Sequence, residues 1–351
     1  MSTAKEEATR YDRQVRLWGA AAQQRLQTTG VLINGLNGVT AEIAKTLILA
    51  GVKSVLLRDP AERKCSAVDF HTNHFVYQCD VDNMRPIQET LAARLGELNP
   101  YVHVATTTNS TNIADVDESC IATTDAADNS NPHAAYKVSL VTSMNELTSL
   151  ATAHDNASSA TAPQTLVAVT VWDAWVLGVF VERGTAVKTL TSLFSPEALE
   201  VAPRPFQLCA LRLYAEASSL LLSSSTTIPF VTALHGLEQL IERYSLHTVT
   251  DVDIQHLLNC SRGQFGSAVD ASGQQTPLEA SISSIACTVG GSFIAQQLIA
   301  RVSGNNNNNM SRSEEEPSNS TAAPPSQQQP VFNWIATSTP IGGDETECYV
   351  G

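Results

Sequence analysis

Val31-Leu32-Ile33-Asn34-Gly35-Leu36-Asn37-Gly38 decides the fold of this chain. The apolar run from Val31 to Ile33 ends at a glycine turn, which is typical of a buried parallel strand that leads into a helix. We predict that this helix begins near Val39 and that Gly51 is the left-handed residue after its last turn. Ser54 to Leu57 then form a second strand. This series is the first βαβ unit of a doubly wound α/β fold.

The glycine turn departs from the pattern of a working nucleotide site. In the spacing G-x-G-x-x-G, the second glycine lets the backbone approach a phosphate, and the third lets helix and strand pack closely. Those three positions hold Gly35, Asn37 and Thr40, although Gly38 still permits the turn. The Asn37 side chain would occupy space that a phosphate needs. We therefore expect a degenerate loop with no cofactor of its own, and a divergent but functional dinucleotide loop is the alternative.

Two further segments carry a family resemblance. Tyr11-Asp12-Arg13-Gln14-Val15-Arg16-Leu17-Trp18-Gly19 resembles the opening of the adenylation domain shared by the activating enzymes for ubiquitin-like proteins and by MoeB and ThiF. The ending Leu17-Trp18-Gly19, together with residues 41–52, is most similar to the smaller, regulatory subunits of SUMO-activating enzymes. Residues 285–299 resemble a late family helix whose paired glycines suit a subunit or domain contact. The resemblance implies an inactive half of a Rossmann-like ThiF/MoeB adenylation fold with a helical insertion.

The resemblance also implies how such a half acts. In the family, the inactive half pairs with a catalytic subunit, which binds ATP and Mg and adenylates the C-terminal glycine of a SUMO-like modifier before thioester transfer. An arginine reaches across to that ATP, and the matching residue is Arg13, with Arg16 as the weaker candidate. A guanidinium is a permanently charged fork suited to phosphoryl oxygens. We expect Tyr11 and Trp18 to pack the N-terminal helix onto the partner. Asp59, a ribose ligand in an active half, should be vestigial and keep only a structural role.

The remaining chemistry of an active half is missing from the sequence. Asn145 stands where active members place a magnesium-binding aspartate, and an amide is a poorer ligand than a carboxylate for a hard cation. The cysteines are scattered singly, which predicts small apolar thiols and neither a zinc site nor a catalytic cysteine. They are Cys65, Cys79, Cys120, Cys209, Cys260, Cys287 and Cys348. We therefore expect no metal in this chain.

Composition bounds the class of partner. The 351 residues are 43% hydrophobic and 16% charged, which is enough to bury a substantial core. A formal charge of −14 argues against nucleic acid. The sequence shows no uninterrupted apolar run of membrane length, and Met1 to Arg10 is polar and charged, unlike a secretory signal. We expect the nucleus, and also the cytoplasm, as the location.

The chain divides by composition. We predict an N-terminal pseudo-adenylation part over residues 1–182 and an inserted helical region over residues 183–280. Residues 281–302 and 331–351 supply a helix and a terminal hairpin that complete the adenylation domain. The polyasparagine and Pro/Ser/Gln tract over residues 303–330 predicts a disordered linker.

Within the N-terminal part, further elements can be predicted. Tyr101 to Ala105 alternates as a strand does, and by resemblance it lies parallel beside the second strand. Leu166 to Val171 is a β-branched strand. The segment from Val171 to Val181 resembles a crossover of the family, with Trp172 and Trp175 as packing residues.

Two other functions remain open at this point. One is the regulatory subunit of another modifier-activating enzyme, that of the neddylation pathway. The other is a stand-alone MoeB-like adenylating enzyme or an NAD-binding enzyme with an unusual loop.

Overall fold

The computed structural model describes residues 2–107, 136–158, 163–220, 230–261, 282–304, 333–338 and 347–351. Within these ranges the chain forms one eight-stranded sheet covered by helices. The strands are β1 (Gly30–Asn34), β2 (Ser54–Arg58), β3 (His103–Thr106), β4 (Tyr136–Leu140), β5 (Thr165–Trp172), β6 (Trp175–Glu182), β7 (Trp334–Ser338) and β8 (Glu347–Val350). The helices are α1 (Ser2–Trp18), α2 (Ala20–Thr28), α3 (Gly38–Ala50), α4 (Ala67–Thr72), α5 (Gln78–Asp82), α6 (Ile87–Gly96), α7 (Met144–Asn156), α8 (Ala186–Leu193), α9 (Pro196–Glu200), α10 (Arg204–Ala217), α11 (Phe230–Arg243), α12 (Asp251–Ser261) and α13 (Ser284–Gly304).

The strand order is β3-β2-β1-β4-β5-β6-β7-β8. The first five of these strands run parallel, and the last three pair antiparallel. The order reverses between β1 and β4, which is the topological switch point where doubly wound sheets place ligands. The predicted α/β class is therefore confirmed, as is the position of β3 beside β2.

The first βαβ unit follows the prediction closely. All five residues of β1 are buried, and α3 begins one residue before the predicted start. Gly51 has φ 84°, in the left-handed region, and its N–H reaches the carbonyls of Leu47 and Ile48. Glycine adopts this conformation without steric cost, which ends the helix at this point.

The two faces of the sheet are covered by different helices. Val31 and Ile33 point to the face that packs on α3, α6 and α13. On the other face, β5 to β7 pack on α7 and on helices of the predicted insertion, with Trp172 and Phe206 in that core. The helices after residue 182 therefore share a hydrophobic core with the sheet.

The segment from Val171 to Val181 is a β-hairpin and not a crossover. β5 and β6 pair antiparallel around a turn in which Asp173 has φ 50°. Trp172 and Trp175 face each other across this hairpin with ring centroids 4.7 Å apart. Trp172 is buried, so the predicted packing role of the tryptophans is confirmed.

The paired glycines of α13 are used inside the chain. A Cβ on Gly291 would lie 2.8 Å from the Cβ of Glu42 on α3, and one on Gly290 would lie 2.6 Å from the Cβ of Val176 on β6. Larger residues at these positions would force α13 away from α3 and from β6. The paired glycines were predicted to suit either a subunit contact or a domain contact, and the structure shows a contact within the domain.

One described helix, α13, has the length and mean hydropathy of a membrane span, although its sequence includes polar residues. Of its most apolar window, 56% is buried inside the fold. The core helix of a folded domain meets the same criteria, so this composition is weak evidence for a span.

Several predictions fall outside the described residues. One is the predicted linker over residues 303–330, most of which is not described. Its first two residues, 303 and 304, belong to α13, which therefore ends two residues beyond its predicted end. Residues 108–135, between β3 and β4, also lie outside the described part of the chain.

Candidate functional site

A small cavity lies at the carboxyl ends of β1 and β4, at the switch point of the sheet. Its volume is about 80 Å³. Pockets that hold small molecules usually have volumes of ~300–1,000 Å³. The cavity is lined by the glycine loop, by the segment after β2 and by α4, through Gly35, Leu36, Asn37, Gly38, Asp59, Arg63, Val68, Asp69, Thr72, Leu140 and Ile282.

The two residues that depart from the glycine pattern bond to each other. Asn37 is the N-cap of α3, and its Oδ1 accepts the Thr40 N–H at 3.0 Å. In return, Thr40 Oγ1 accepts the Asn37 N–H at 2.9 Å. This is a capping box, which satisfies amides that would otherwise be open at a helix N-terminus. A bound phosphate would need these same backbone amides. In this loop they are instead engaged in the cap that stabilises α3.

The two remaining glycines of the loop are required by packing. Gly35 has φ 85°, and a Cβ there would lie 2.8 Å from the Cβ of Leu140. A Cβ on Gly38 would lie 2.3 Å from the carbonyl oxygen of Thr72 on α4. Their presence therefore follows from the turn and from helix packing, and does not by itself indicate a ligand.

Arg63 lines the cavity, and its guanidinium lies between two buried carboxylates. Its Nε lies 3.4 Å from Asp59 Oδ2, and its Nη1 lies 3.5 Å from Asp69 Oδ2. Its Nη2 donates to the carbonyl of Leu36 in the glycine loop. Asp59 also accepts the backbone N–H of Arg63, so its carboxylate is engaged within the chain, in line with the structural role expected for it.

Arg13 lies elsewhere, on the exposed face of α1. No hydrogen bond or ion pair joins its side chain to another described residue. One turn further on, Arg16 Nη2 pairs with Asp12 Oδ2 at 2.9 Å, and both side chains are more than half exposed. Arg13 is therefore available to a second molecule in a way that Arg63 is not.

Tyr11 and Trp18, the aromatic residues of α1, both make contacts within this chain. Tyr11 is 3% exposed and packs against Gly51. Trp18 is partly buried, and its Nε1–H donates to Gln23 Oε1 at 3.0 Å. The expectation that Tyr11 packs the helix onto a partner is wrong, because its ring is covered by Gly51 and its hydroxyl by Asn99 of this chain. For Trp18, which is only partly buried, that expectation stays a prediction. The sequence shows an amphipathic helix without showing what its apolar face meets.

These contacts fix where Arg13 can reach. Asn99 Nδ2 lies 2.8 Å from the Tyr11 hydroxyl, and Gln14 Nε2 donates to the carbonyl of Leu49. Both anchors hold α1 at the C-terminal end of α3, whereas the glycine loop lies at the N-terminal end. α3 has 13 residues and is ~20 Å long. The structure thus separates Arg13 from the cavity of its own chain.

The other predicted site residue, Asn145, is not at the cavity. It lies exposed in the first turn of α7, and its Nδ2 is 3.4 Å from the carbonyl of Ala217. Among the described residues, no group of three or more His, Cys, Asp or Glu side chains is arranged to hold a metal ion.

The described cysteines form two classes. Cys65, Cys209 and Cys287 are buried, as expected for small apolar thiols. Burial raises the pKa of the Cys209 and Cys287 thiols to about 12, which leaves them protonated and unreactive at neutral pH. Cys79 and Cys348 are exposed, contrary to that expectation. The side chains of Cys120 and Cys260 lie outside the described part of the chain.

Sequence comparison finds a family match for the N-terminal part of the chain. Residues 11–159 match the model of the ThiF family. The chain is 42% identical over 106 residues to ubiquitin-like modifier-activating enzyme 6 of Homo sapiens, which covers 30% of this chain and 10% of that protein. It is 41% identical over 109 residues to SUMO-activating enzyme subunit 1 of Xenopus laevis, covering 31% of this chain and 30% of that protein. The aligned segments thus span less than a third of these relatives.

Structural comparison extends over nearly the whole chain. Escherichia coli MccB with succinimide superposes with a TM-score of 0.50 at 12% identity, covering 97% of this chain and 71% of that chain. At this identity the likeness supports the fold alone. Together with the family match, it agrees with a Rossmann-like ThiF adenylation fold.

Proposed function

We propose that this chain, which carries a ThiF-family domain over residues 11–159, is the regulatory subunit of a heterodimeric SUMO-activating enzyme. In this proposal the chain pairs with a catalytic subunit that binds ATP and Mg, and itself binds neither. It contributes Arg13 to the adenylation of the modifier's C-terminal glycine. The observation that carries the proposal is the separation of the exposed Arg13 from a small cavity that Arg63 lines.

The glycine loop supports a non-catalytic role. The Asn37–Thr40 capping box engages the amides at the start of α3, and two buried carboxylates, Asp59 and Asp69, line the cavity. A nucleotide would bring several negative charges against these carboxylates in a poorly solvated site, which is electrostatically unfavourable. The loop thus keeps the architecture of a nucleotide site without its binding properties.

The placement of α1 supports a role in trans. Its buried face, with Tyr11 and Gln14, is bound to this chain, so the face with Arg13 is presented outward on a fixed helix. A fixed helix orients a guanidinium without the entropic cost of ordering a loop at the moment of reaction. When the modifier carboxylate attacks the α-phosphate, negative charge accumulates on phosphoryl oxygens, and a guanidinium fork stabilises that charge.

The same surface of the molecule is suited to partner contact. Leu17 on α1 is 77% exposed, and Leu49 on α3 is 41% exposed. The hydrogen bond from Gln14 to the Leu49 carbonyl joins these two helices. Exposed apolar side chains next to a functional cation are a common composition at subunit interfaces.

A SUMO-like modifier system would place the complex in the nucleus, and also in the cytoplasm.

The test is the rate of modifier adenylation in the reconstituted complex, measured as ATP–pyrophosphate exchange. Arg13→Ala should lower this rate by at least about tenfold, because arginines supplied in trans contribute ~10³–10⁵ in related phosphoryl transfers. Complex formation, followed by gel filtration, should be unchanged. Lys188→Ala is the matched control, since it removes an exposed cation from α8. An unchanged rate for Arg13→Ala in an intact complex would remove Arg13 from the mechanism.

The modifier itself is tested by the same assay. Exchange should depend on a SUMO-type modifier and should be absent with a modifier of the neddylation type. The reverse preference would assign the chain to the neddylation alternative. A loss of activity in Arg16→Ala alone would move the catalytic role one turn along α1.

A further inference from the structure

The segment after β2 is tied to the glycine loop by one side chain. We propose that the guanidinium of Arg63 is a built-in occupant of the loop cavity, which is therefore a guanidinium site and not an empty nucleotide site. This inference deepens the proposed function, on which it rests in treating this half as non-catalytic. It identifies the chemical group that takes the place of a ligand.

Acceptors from three segments of the chain surround the Arg63 side chain. They are the Leu36 carbonyl and the carboxylates of Asp59 and Asp69, and they come from the glycine loop, the end of β2 and α4. Both aspartate side chains are 4% exposed, while that of Arg63 is 30% exposed. Only arginine offers several N–H donors in one plane, so its guanidinium can donate to acceptors on separate segments at the same time.

The carboxylates are also held in place independently of the guanidinium. Asp69 Oδ2 accepts the Ser66 hydroxyl at 2.7 Å and the Ser66 N–H at 3.0 Å. Asp59 Oδ2 accepts the backbone N–H of Arg63 at 3.0 Å, a bond that alanine at position 63 retains. Truncation of Arg63 should therefore leave two oriented, buried carboxylates around a vacated space. Such a site favours a small planar cation and disfavours a phosphate.

The test is thermal unfolding of the full chain carrying Arg63→Ala, with added ethylguanidinium. The variant should unfold about 3 °C or more below the wild type, because two buried carboxylates lose their cation. Millimolar ethylguanidinium should restore at least half of this loss in a saturable manner, as expected for a ligand that binds only the folded state. Ethylammonium, which has the same charge without the planar fork, should not restore it.

Arg85→Ala is the matched control. Arg85 pairs with another buried carboxylate, Asp80, but that carboxylate keeps its second partner, Arg94. Neither this variant nor the wild type should respond to ethylguanidinium. An equal response of Arg85→Ala and Arg63→Ala, or no response of Arg63→Ala, would overturn the inference.

Two further measurements keep the inference testable. If Arg63→Ala does not fold, Arg63→Lys keeps the charge without the fork, and it should unfold below the wild type. Wild-type stability of Arg63→Lys would show that no guanidinium site exists. Stabilisation of Arg63→Ala by Mg·ATP would show a competent nucleotide site behind a lid and would also overturn the inference. None of these readouts involves Arg13 or the catalytic subunit, so they fail independently of the role in trans.

Discussion

Replacing Asn99 with Ala should loosen the helix that carries Arg13. Asn99 is completely buried, and its Nδ2 lies 2.8 Å from both the Tyr11 hydroxyl and the Ile48 carbonyl. It thus joins α1 to the C-terminal end of α3. The Leu-Asn-Pro sequence that ends the α6 region supplies this residue at the point where the three segments meet.

The cost can be worked out from these contacts. Each of the two bonds lost from Nδ2 contributes ~1 kcal/mol to the free energy of unfolding, and the buried Tyr11 hydroxyl left without its partner adds ~1 kcal/mol. Asn99 Oδ1 also accepts the Tyr101 N–H at 3.3 Å, but that bond is long and only part-buried, so its loss adds little. The Ile48 carbonyl keeps the N–H of Gly51 and adds nothing further. We therefore expect Asn99→Ala to destabilise the chain by ~3 kcal/mol. Tyr11→Phe should cost only ~1 kcal/mol, because Asn99 retains its bond to Ile48.

Urea unfolding of the two variants measures this difference, and hydrogen exchange of the α1 amides shows where it acts. Exchange in α1 should accelerate more in Asn99→Ala than in Tyr11→Phe, while the amides of β1 and β4 stay protected in both. Equal urea midpoints for the two variants, or unchanged exchange in α1, would refute the assignment of Asn99 as the anchor of this helix.

Three further predictions concern other parts of the chain. Burial opposes ionisation of Asp155, but three backbone N–H groups around the start of α8 outweigh burial and lower the pKa of this carboxyl. Its contribution to stability is therefore present above the unfolded pKa and is lost as pH falls through the folded pKa. The difference in unfolding free energy between wild type and Asp155→Asn should accordingly shrink below about pH 4, and a difference constant with pH in urea titrations would contradict this. Iodoacetamide at neutral pH should modify Cys79 and spare Cys287, as peptide mass mapping can show; modification of Cys287 in the folded chain would mean that it is not buried. Gly38→Ala should destabilise the chain by ~1–3 kcal/mol through the clash with the Thr72 carbonyl, and wild-type urea stability would show that α4 yields easily.

Local sequence signals predict the first βαβ unit well. The apolar run of β1, the start of α3 and the glycine cap at Gly51 depend on interactions within a few residues, so the pattern carries the information. The Asn37–Thr40 capping box has such a signal too, since N-x-x-T places an N-cap side chain opposite a hydroxyl three residues later. The glycine spacing, by contrast, predicts only that Asn37 obstructs a phosphate.

The site was less predictable because it depends on contacts between distant segments. Arg63 and Asp59 have the spacing of an ion pair, but the carbonyl of Leu36 that Arg63 also reaches lies 27 residues away. Nothing in the sequence indicates that contact. The faces of α1 posed the same problem, because an apolar helical face packs equally well on its own chain or on a partner. Tyr11 shows that here it packs on its own chain.

The β5–β6 hairpin was missed for a related reason. Trp172 and Trp175 are separated by only two residues, a spacing that permits a tight turn as well as a continuous segment. The resemblance to a family crossover outweighed that signal, and the antiparallel pairing of β6 became evident only from the structure.

In the proposed complex, this chain contributes a cation to a nucleotide bound by the catalytic subunit and binds no nucleotide itself. Titration calorimetry of Mg·ATP into the isolated chain, and into its complex with the catalytic subunit, distinguishes the two sites. We predict no measurable binding to the isolated chain and one nucleotide per complex. Binding of one ATP to the isolated chain with micromolar affinity would contradict the account and would favour a stand-alone adenylating enzyme.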